Sequence, residues 1–539
     1  MLVNVRVSDL KMLPLGIQNF RKIIEGNYIY VDKTRYIYDL LNNASYYFLS
    51  RPRRFGKSLL LDTIAEVFMG DKELFNGLWI YGSDYGFEPH PVVRIDMSNI
   101  PNKNSQVLEN SLSLEVTHIA EKEQIILSGG EPANLFKRLI DALCEKYKQR
   151  VVVLVDEYDK PILDHITDIK TADENRLVLR SFFGILKSMD PYLRFTFFTG
   201  VSKFAKTSVF SELNNLLDIT LTDRYANVCG ITADDLDEFF GEHIESLARL
   251  DRFTDYNNVR ERILAWYDGY SWNGIDRVIN PFSLISFFKQ ERFGAFWYAS
   301  GSPRFLIDLL KENPDEFSNI GSFEMSEYML DASDFNKLES VPLLFQSGYL
   351  TIRDIEYDND LPIYLLDVPN LEVSEAFNKN IIAAFTDSGH TKAESSSRAL
   401  SRALQVGDLH TILEVLRGLF ASIPYNLHVN LEAYYHSIFY SVMNVLGFKV
   451  ESEVSGSKGR IDALLDLGDV AYIFEFKYVN CPNDASAEIK EELYKKALCE
   501  GMAQINDKGY SERFIGSEKT VYKAVFAFLG RGEIEMSVF

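Results

Sequence analysis

Long apolar runs are missing from this sequence. The best of them, such as Val151–Val155, stop at charges after a few residues, far short of the roughly 20 that a bilayer span needs. The N-terminus, Met1-Leu2-Val3-Asn4-Val5-Arg6, lacks the basic-then-apolar layout of a secretory signal. Cysteine is scarce. Cys144, Cys229, Cys481 and Cys499 are scattered with no Cys-x-x-Cys pair, which argues against a disulfide framework and against a cysteine zinc site. These absences make a cytoplasmic protein without membrane partners the expectation. Positive charge is also in deficit, with a net of −22. Bulk electrostatics therefore do not announce a nucleic-acid binder, and any action on DNA needs a local basic surface or bound metal. Fixed-period repeats and low-complexity tracts are absent too.

What is present is an ordinary globular composition, 46% hydrophobic over 539 residues, enough for about three domains. The first half alternates short apolar runs with amphipathic stretches, the pattern of an α/β domain with a parallel sheet. Candidate strands are Tyr46–Leu49, Val92–Ile95, Val151–Val155 and Phe195–Thr199, and helical periodicity runs over Ala133–Tyr147. From about Thr232 the pattern turns helical, with the cap Thr232-Ala233-Asp234-Asp235 ahead of apolar residues. The stretch from about 266 to 310 is dense in aromatics: Trp266, Tyr267, Tyr270, Trp272, Phe282, Phe287, Phe288, Trp297 and Tyr298. Core or inter-domain packing is their expected role. The polar stretch Thr386–Ser397 reads as a linker or exposed turn, and a strand-rich unit runs from about Leu427 to the end. The expected domains are thus 1–230, 231–395 and 396–539.

The sharpest local signal is Tyr47-Phe48-Leu49-Ser50-Arg51-Pro52-Arg53-Arg54-Phe55-Gly56-Lys57-Ser58, followed by an apolar helix start. Strand, short loop, Gly-Lys-Ser and helix make the context of a phosphate-binding loop. Amides of the loop, including Arg54, Phe55 and Gly56, and the helix N-terminus aim donors at phosphate oxygens. Lys57 adds a full charge, and the Ser58 hydroxyl can ligate Mg2+. One departure stands out: Arg51 holds the place of the usual first glycine, and Pro52 removes an amide donor. A second signal is Val151-Val152-Val153-Leu154-Val155-Asp156-Glu157, a buried strand ending in two acids. At the carboxyl end of such a strand Asp156 can hold Mg2+ and Glu157 can orient or deprotonate the attacking water. Thr199 or Ser202, after a third strand, can sense the γ-phosphate; Arg224 can reach a phosphate or form a surface ion pair.

Late in the chain, Gly459-Arg460-Ile461-Asp462 and Ile473-Phe474-Glu475-Phe476-Lys477 read as two strands with acids in apolar settings. Glu475 and Lys477, two apart, share a strand face. Metal held by Asp462 and Glu475 can polarise a phosphodiester, with Lys477 orienting water or offsetting charge. Glu432, on a preceding helix, is a further candidate metal ligand, and Gln504 on a following helix can contact the site or the DNA backbone. A Glu475–Lys477 ion pair without catalysis is the alternative. Residues 421–539 carry 12 Lys and Arg against 17 Asp and Glu, a net of −5, so they offer no lure for DNA.

These motifs resemble a bacterial family that joins an AAA-ATPase-like domain to a C-terminal PD-(D/E)XK nuclease-superfamily domain. The likeness includes Leu15-Gly16-Ile17, Tyr30-Val31-Asp32-Lys33-Thr34, the Arg51–Ser58 loop, Val155-Asp156-Glu157-Tyr158-Asp159 and Thr199-Gly200-Val201-Ser202-Lys203-Phe204. Trp266-Tyr267-Asp268-Gly269-Tyr270, Asn280-Pro281-Phe282-Ser283-Leu284 and Gly301-Ser302-Pro303-Arg304-Phe305-Leu306 extend it. The resemblance implies an α/β protein: a P-loop NTPase domain of AAA-like parallel-sheet type, a helical middle and a restriction-endonuclease-like end. It puts Lys57, Ser58, Asp156 and Glu157 in the nucleotide positions and Glu432, Asp462, Glu475 and Lys477 in the nuclease core. ATP, Mg2+ (or Mn2+ at the nuclease site) and DNA are the implied ligands, and a homo-oligomer stays open. The function expected is an ATPase whose nucleotide state gates a metal-dependent DNA nuclease. The alternative is a nucleotide-dependent switch or scaffold whose end domain binds nucleic acid or protein without cutting.

Overall fold

A computed structural model of the chain describes residues 10–203, 206–299, 323–331, 340–376, 399–421, 439, 443, 450–456, 459–482, 485–507, 514, 516, 519–529 and 533–538. Glu432 and the Thr386–Ser397 stretch lie outside them. The chain divides into two compact units, 1–302 with 321–372, and 303–320 with 373–539.

The first unit is built on five parallel strands: β1 (Tyr46–Ser50), β2 (Val92–Asp96), β3 (Val151–Asp156), β4 (Leu193–Gly200) and β5 (Leu217–Asp218). All five β1 residues and all six of β3 are buried, as expected of parallel strands covered on both faces. The four strands expected from sequence are all there, each extended by one to three residues. Their order is β2-β3-β4-β1-β5, so β4 lies between the strand that feeds the Lys57 loop and the strand that ends in Asp156. The helix Pro132–Tyr147 matches the periodicity read from sequence.

The expected helical middle begins where its cap is written. Thr232 Oγ1 accepts from the Asp235 amide, and the Asp235 carboxylate accepts from the Thr232 amide, closing a capping box on the helix Ala233–Ala248. Leu236, Phe240, Ile244 and Leu247 form its apolar stripe, which packs with Val259, Ile263 and Tyr267 of the helix Tyr256–Tyr267 and with Leu284, Phe287 and Phe288 of the helix Pro281–Gln290. The middle is not helical throughout. A three-stranded antiparallel sheet follows: β6 (Phe323–Ser326), β7 (Thr351–Asp358) and β8 (Leu361–Asp367), in the order β6-β8-β7.

The second unit carries a sheet of its own: β9 (Val450–Gly456), β10 (Gly459–Asp466), β11 (Val470–Val479), β12 (Thr520–Leu529) and β13 (Glu533–Val538), ordered β13-β12-β11-β10-β9. The first three strands form an antiparallel meander. β11 then pairs in parallel with β12 through a crossover containing the helix Ala487–Asp507. The helix lies close on the sheet, because a Cβ added at Gly501 would come within 2.4 Å of Val525 Cγ1. Leu464, Ile473, Ile505 and Val525 make the core beneath it.

Candidate functional site

β1 delivers the chain into the loop 51–56, and the helix Lys57–Met69 leaves it. Gly56, at the N-cap, has φ of +92°, a conformation that costs glycine little. No side chain caps this helix start, which leaves its first amides aimed at the loop's mouth, as an anion site requires. Lys57 is buried, and its ammonium donates to the carbonyls of Arg51 at 2.9 Å and Pro52 at 3.0 Å. Burial pushes the Lys57 pKa down, against the opposing pull of Asp156, Glu157 and Asp159.

Three acids of Asp156-Glu157-Tyr158-Asp159 meet that lysine's field, and each has a different commitment. Asp156 Oδ1 accepts from Thr199 Oγ1 at 2.6 Å, so the end of β4 touches the end of β3. Asp159 is buried and accepts from the amides of Val201 and Ser202 and from Ser202 Oγ at 2.7 Å. Burial raises its pKa, partly offset by the Ser202 bonds. Of the two residues expected to sense the γ-phosphate, Ser202 is therefore spent on Asp159, and Thr199 sits beside Asp156. Glu157 has φ of +52°, a strained setting of order 1–3 kcal/mol for a side chain of this kind. Among the described residues its carboxylate accepts no hydrogen bond. Burial raises its pKa, Lys57 opposes that, and Asp156, Asp159 and Asp96 add to it. Arg224 forms a surface ion pair with Asp39.

A cavity of about 440 Å3 opens at this point, the size of a small-molecule site. Its lining includes Arg53, Arg54, Gly56, Lys57, Ser58, Glu157 and Lys160 together with Pro14–Gln18, Pro281, Phe282 and Ile285. An uncapped helix start, a folded-back lysine and a glutamate without a hydrogen bond among the described residues suit a phosphate-bearing ligand with a divalent ion, to which Ser58 on the cavity wall and Asp156 at the end of β3 could offer oxygens.

Sequence reasoning missed the groups that hold the loop in shape. Arg51 is fully buried and does not face the cavity. Its guanidinium donates to the carbonyls of Ser50 (2.9 Å), Thr220 (2.8 Å) and Tyr225 (3.2 Å) and lies 3.9 Å from the Trp272 ring centre. Burial pushes its pKa down to about 10, so it stays a cation at neutral pH. Phe55 packs edge-on against Tyr270 and Trp272, the Arg54 guanidinium covers Phe282 at 4.7 Å, and the Trp297 indole donates to the Arg53 carbonyl at 3.2 Å. The described part of the aromatic stretch is packing, as expected, but Tyr270, Trp272, Phe282 and Trp297 pack on the 51–56 loop. Only the run Trp-Tyr-Asp-Gly-Tyr-Ser-Trp at 266–272 could have hinted at this.

In the second unit, β10 and β11 pair from Asp466↔Ala471 to Ala463↔Phe474. Asp462 and Glu475 are next in that register and share a face with Lys477. Glu475 is fully buried and its Oε1 accepts from Lys477 Nζ at 3.0 Å; Asp462 Oδ2 accepts from the Phe476 amide at 2.8 Å. Two hard oxygen donors with an adjacent ammonium fit a divalent ion. Among the described residues no group of three His, Cys, Asp or Glu ligands gathers anywhere, and Glu432 lies outside them. Gln504 lies on the helix Ala487–Asp507 beside the core residue Ile505.

Comparison with known proteins agrees with this division. The predicted AAA-ATPase family model matches residues 14–210, and the PD-(D/E)XK nuclease superfamily model matches residues 430–536. An uncharacterized protein in the vnfD 5′ region of Azotobacter chroococcum mcd 1 is 36% identical over 510 residues, 94% of each chain. The chain belongs to this bacterial AAA-ATPase-like and PD-(D/E)XK family. Among solved structures, the Aeropyrum pernix ORC2 protein in ADPNP–ADP complexes matches with a TM-score of 0.27 and 12% identity, over 68% of this chain and 98% of that one. Drosophila ORC bound to AT-rich DNA and Cdc6 matches with a TM-score of 0.22 and 10% identity, over 56% and 43%. These likenesses are too low to bear on function. Among the described residues no helix is long and apolar enough to cross a membrane.

Proposed function

We propose that this protein binds and hydrolyses ATP in its first unit and that the nucleotide state controls a Mg2+-dependent DNA nuclease in its second. The observation that carries the first half is the uncommitted Glu157 carboxylate, set on the same cavity as Lys57 and Ser58. In this reading phosphate oxygens take the Lys57 ammonium from the Arg51 and Pro52 carbonyls. Glu157 orients the attacking water and accepts its proton. Thr199 holds Asp156 in place through its hydroxyl. Ser58 and, through water, Asp156 would hold Mg2+, which would supply charge neutralisation.

For the second half, Asp462 and Glu475, with Glu432, are the proposed metal ligands. A divalent ion held by these residues would supply an activated water and polarise the phosphodiester. Lys477 offsets charge on the phosphate. The rival reading, a module that binds without cutting, is favoured by the Glu475–Lys477 ion pair and by the −5 charge of residues 421–539.

A plasmid-nicking assay in Mg2+ or Mn2+, with and without ATP, separates the two. The native protein is expected to nick. Asp462→Ala and Lys477→Ala are each expected to lower the rate by about 10- to 100-fold, in the range of lost metal-site partners. Nicking that persists unchanged in both variants places the cutting site elsewhere; no nicking by the native protein under either ion selects the binding module. Nicking indifferent to ATP removes the proposed control.

A further inference from the structure

The chain as a whole is strongly acidic, yet the cavity beside Lys57 is cationic. Among its described lining residues Arg53, Arg54, Lys57 and Lys160 are cations, and Glu157 is the one acid. Three of those cations have partners already. The Lys57 ammonium lies on the Arg51 and Pro52 carbonyls. The Lys160 ammonium donates to both carboxylate oxygens of Asp164, at 2.7 and 2.9 Å. The Arg54 guanidinium covers Phe282. Arg53 is different. Its side chain is exposed and makes no hydrogen bond, ion pair or ring contact among the described residues.

The backbone beneath that side chain is held fast. The Arg53 carbonyl accepts from the Trp297 indole at 3.2 Å. Pro52, just before it, is buried, has its φ fixed by its ring and gives its carbonyl to Lys57 at 3.0 Å. A Cβ added at Gly348 would come within 2.8 Å of Pro52 Cβ, so the chain packs closely there too. A long cation thus springs from a rigid base, with its tip uncommitted, on the cavity that Ser58 and Glu157 also line.

We propose that Arg53 is a catalytic residue that offsets the charge developing on the triphosphate during ATP hydrolysis, and that one copy of the chain therefore carries every cation the reaction needs. The proposal rests on the reading of this cavity as an ATPase site. In that step the water oxygen bonds to the γ-phosphorus and its proton passes to Glu157. The bond to the β–γ bridging oxygen breaks, and its electron pair stays with ADP. Negative charge is redistributed over the phosphate oxygens as this happens, and a guanidinium can bond two of them with parallel N–H groups. An arginine in this role can come from the same chain or from a neighbour, and the second source requires an assembled oligomer. Arg53 belongs to the loop that carries Lys57, so it requires none.

The test follows phosphate release by the full-length protein at saturating ATP in Mg2+, with ATP affinity measured separately by calorimetry. Arg53→Ala is expected to slow turnover about a thousandfold while affinity stays near native. Arg53→Lys should recover little, because lysine offers a point charge in place of a planar fork. Guanidinium ion in solution should restore part of the turnover of Arg53→Ala and none of that of Lys57→Ala. Native turnover per molecule should not change on dilution, and a mixture of Arg53→Ala with Lys57→Ala should stay inactive. Native-like turnover in Arg53→Ala, a fall in affinity as large as the fall in turnover, or a loss that guanidinium leaves untouched overturns the catalytic assignment. Turnover regained in the mixture, or lost on dilution of the native protein, overturns the supply from a single chain. Each of those results leaves the roles of Lys57 and Glu157 standing. If the native protein does not hydrolyse ATP, the ATPase reading fails and the assignment of Arg53 fails with it.

Discussion

Replacing Glu157 with glutamine is expected to slow ATP turnover by about 10²- to 10⁴-fold while ATP affinity stays near native. The size of the effect comes from the division of labour among the three acids at the end of β3. Asp156 is tied to Thr199 and Asp159 to the Val201–Ser202 backbone, so neither is free to take a proton without breaking a bond that shapes the site. Glu157 has no such tie among the described residues, and its left-handed backbone sets the side chain on the cavity instead of on along the strand direction. Glutamine keeps the shape and can still hold a water by one hydrogen bond, but it cannot accept the proton. Phosphate release at saturating ATP, alongside a direct measure of ATP affinity, reads the two effects separately. Turnover equal to native removes the role given to Glu157. A parallel fall in affinity would make it a binding residue instead.

The parallel sheet was legible in the sequence because its strands are buried on both faces, and such strands must be continuous apolar runs: Val151–Val155 has no other comfortable place in a folded α/β domain. The Thr232 cap was legible because a capping box is written in four consecutive residues. β5 was not, since Leu217–Asp218 is two residues long and carries no periodicity. The sheet β6-β8-β7 was missed for a related reason. Thr351-Ile352-Arg353-Asp354-Ile355-Glu356-Tyr357-Asp358 is mostly exposed, and its charges hide the alternation that marks a strand. At the candidate site, Lys57, Ser58, Asp156 and Glu157 stood out in the sequence because each sits close to the carboxyl end of a core strand, within a short and recognisable run of residues. Asp159 and Arg51 could not be understood that way. Backbone groups of Val201, Ser202, Thr220 and Tyr225, 42 to 174 positions away, are among their partners, and only the fold brings those groups near.

Arg51→Gly is expected to destabilise the first unit by about 3–5 kcal/mol and to weaken ATP binding, although it restores the glycine that a phosphate loop ordinarily has in this place. Sequence pattern alone argues the reverse. The structure argues loss because the loop is not kept open by a flexible residue at its start. It is stapled from behind by a buried cation that satisfies the carbonyls of Ser50, Thr220 and Tyr225 and lies against Trp272. Glycine takes a donor from the Ser50, Thr220 and Tyr225 carbonyls, of which Tyr225 keeps the Val228 amide, opens a cavity the size of a guanidinium beside Trp272 and lets the backbone under Lys57 wander. A melting temperature lower by about 10 °C is the expected reading for a unit of this size. Arg51→Lys, which keeps the charge but not the planar fork, should fall between. A glycine variant that melts like the native protein and binds ATP at least as well would show that the staple is dispensable, and the loop would then have to be shaped by the Phe55 and Trp297 contacts alone.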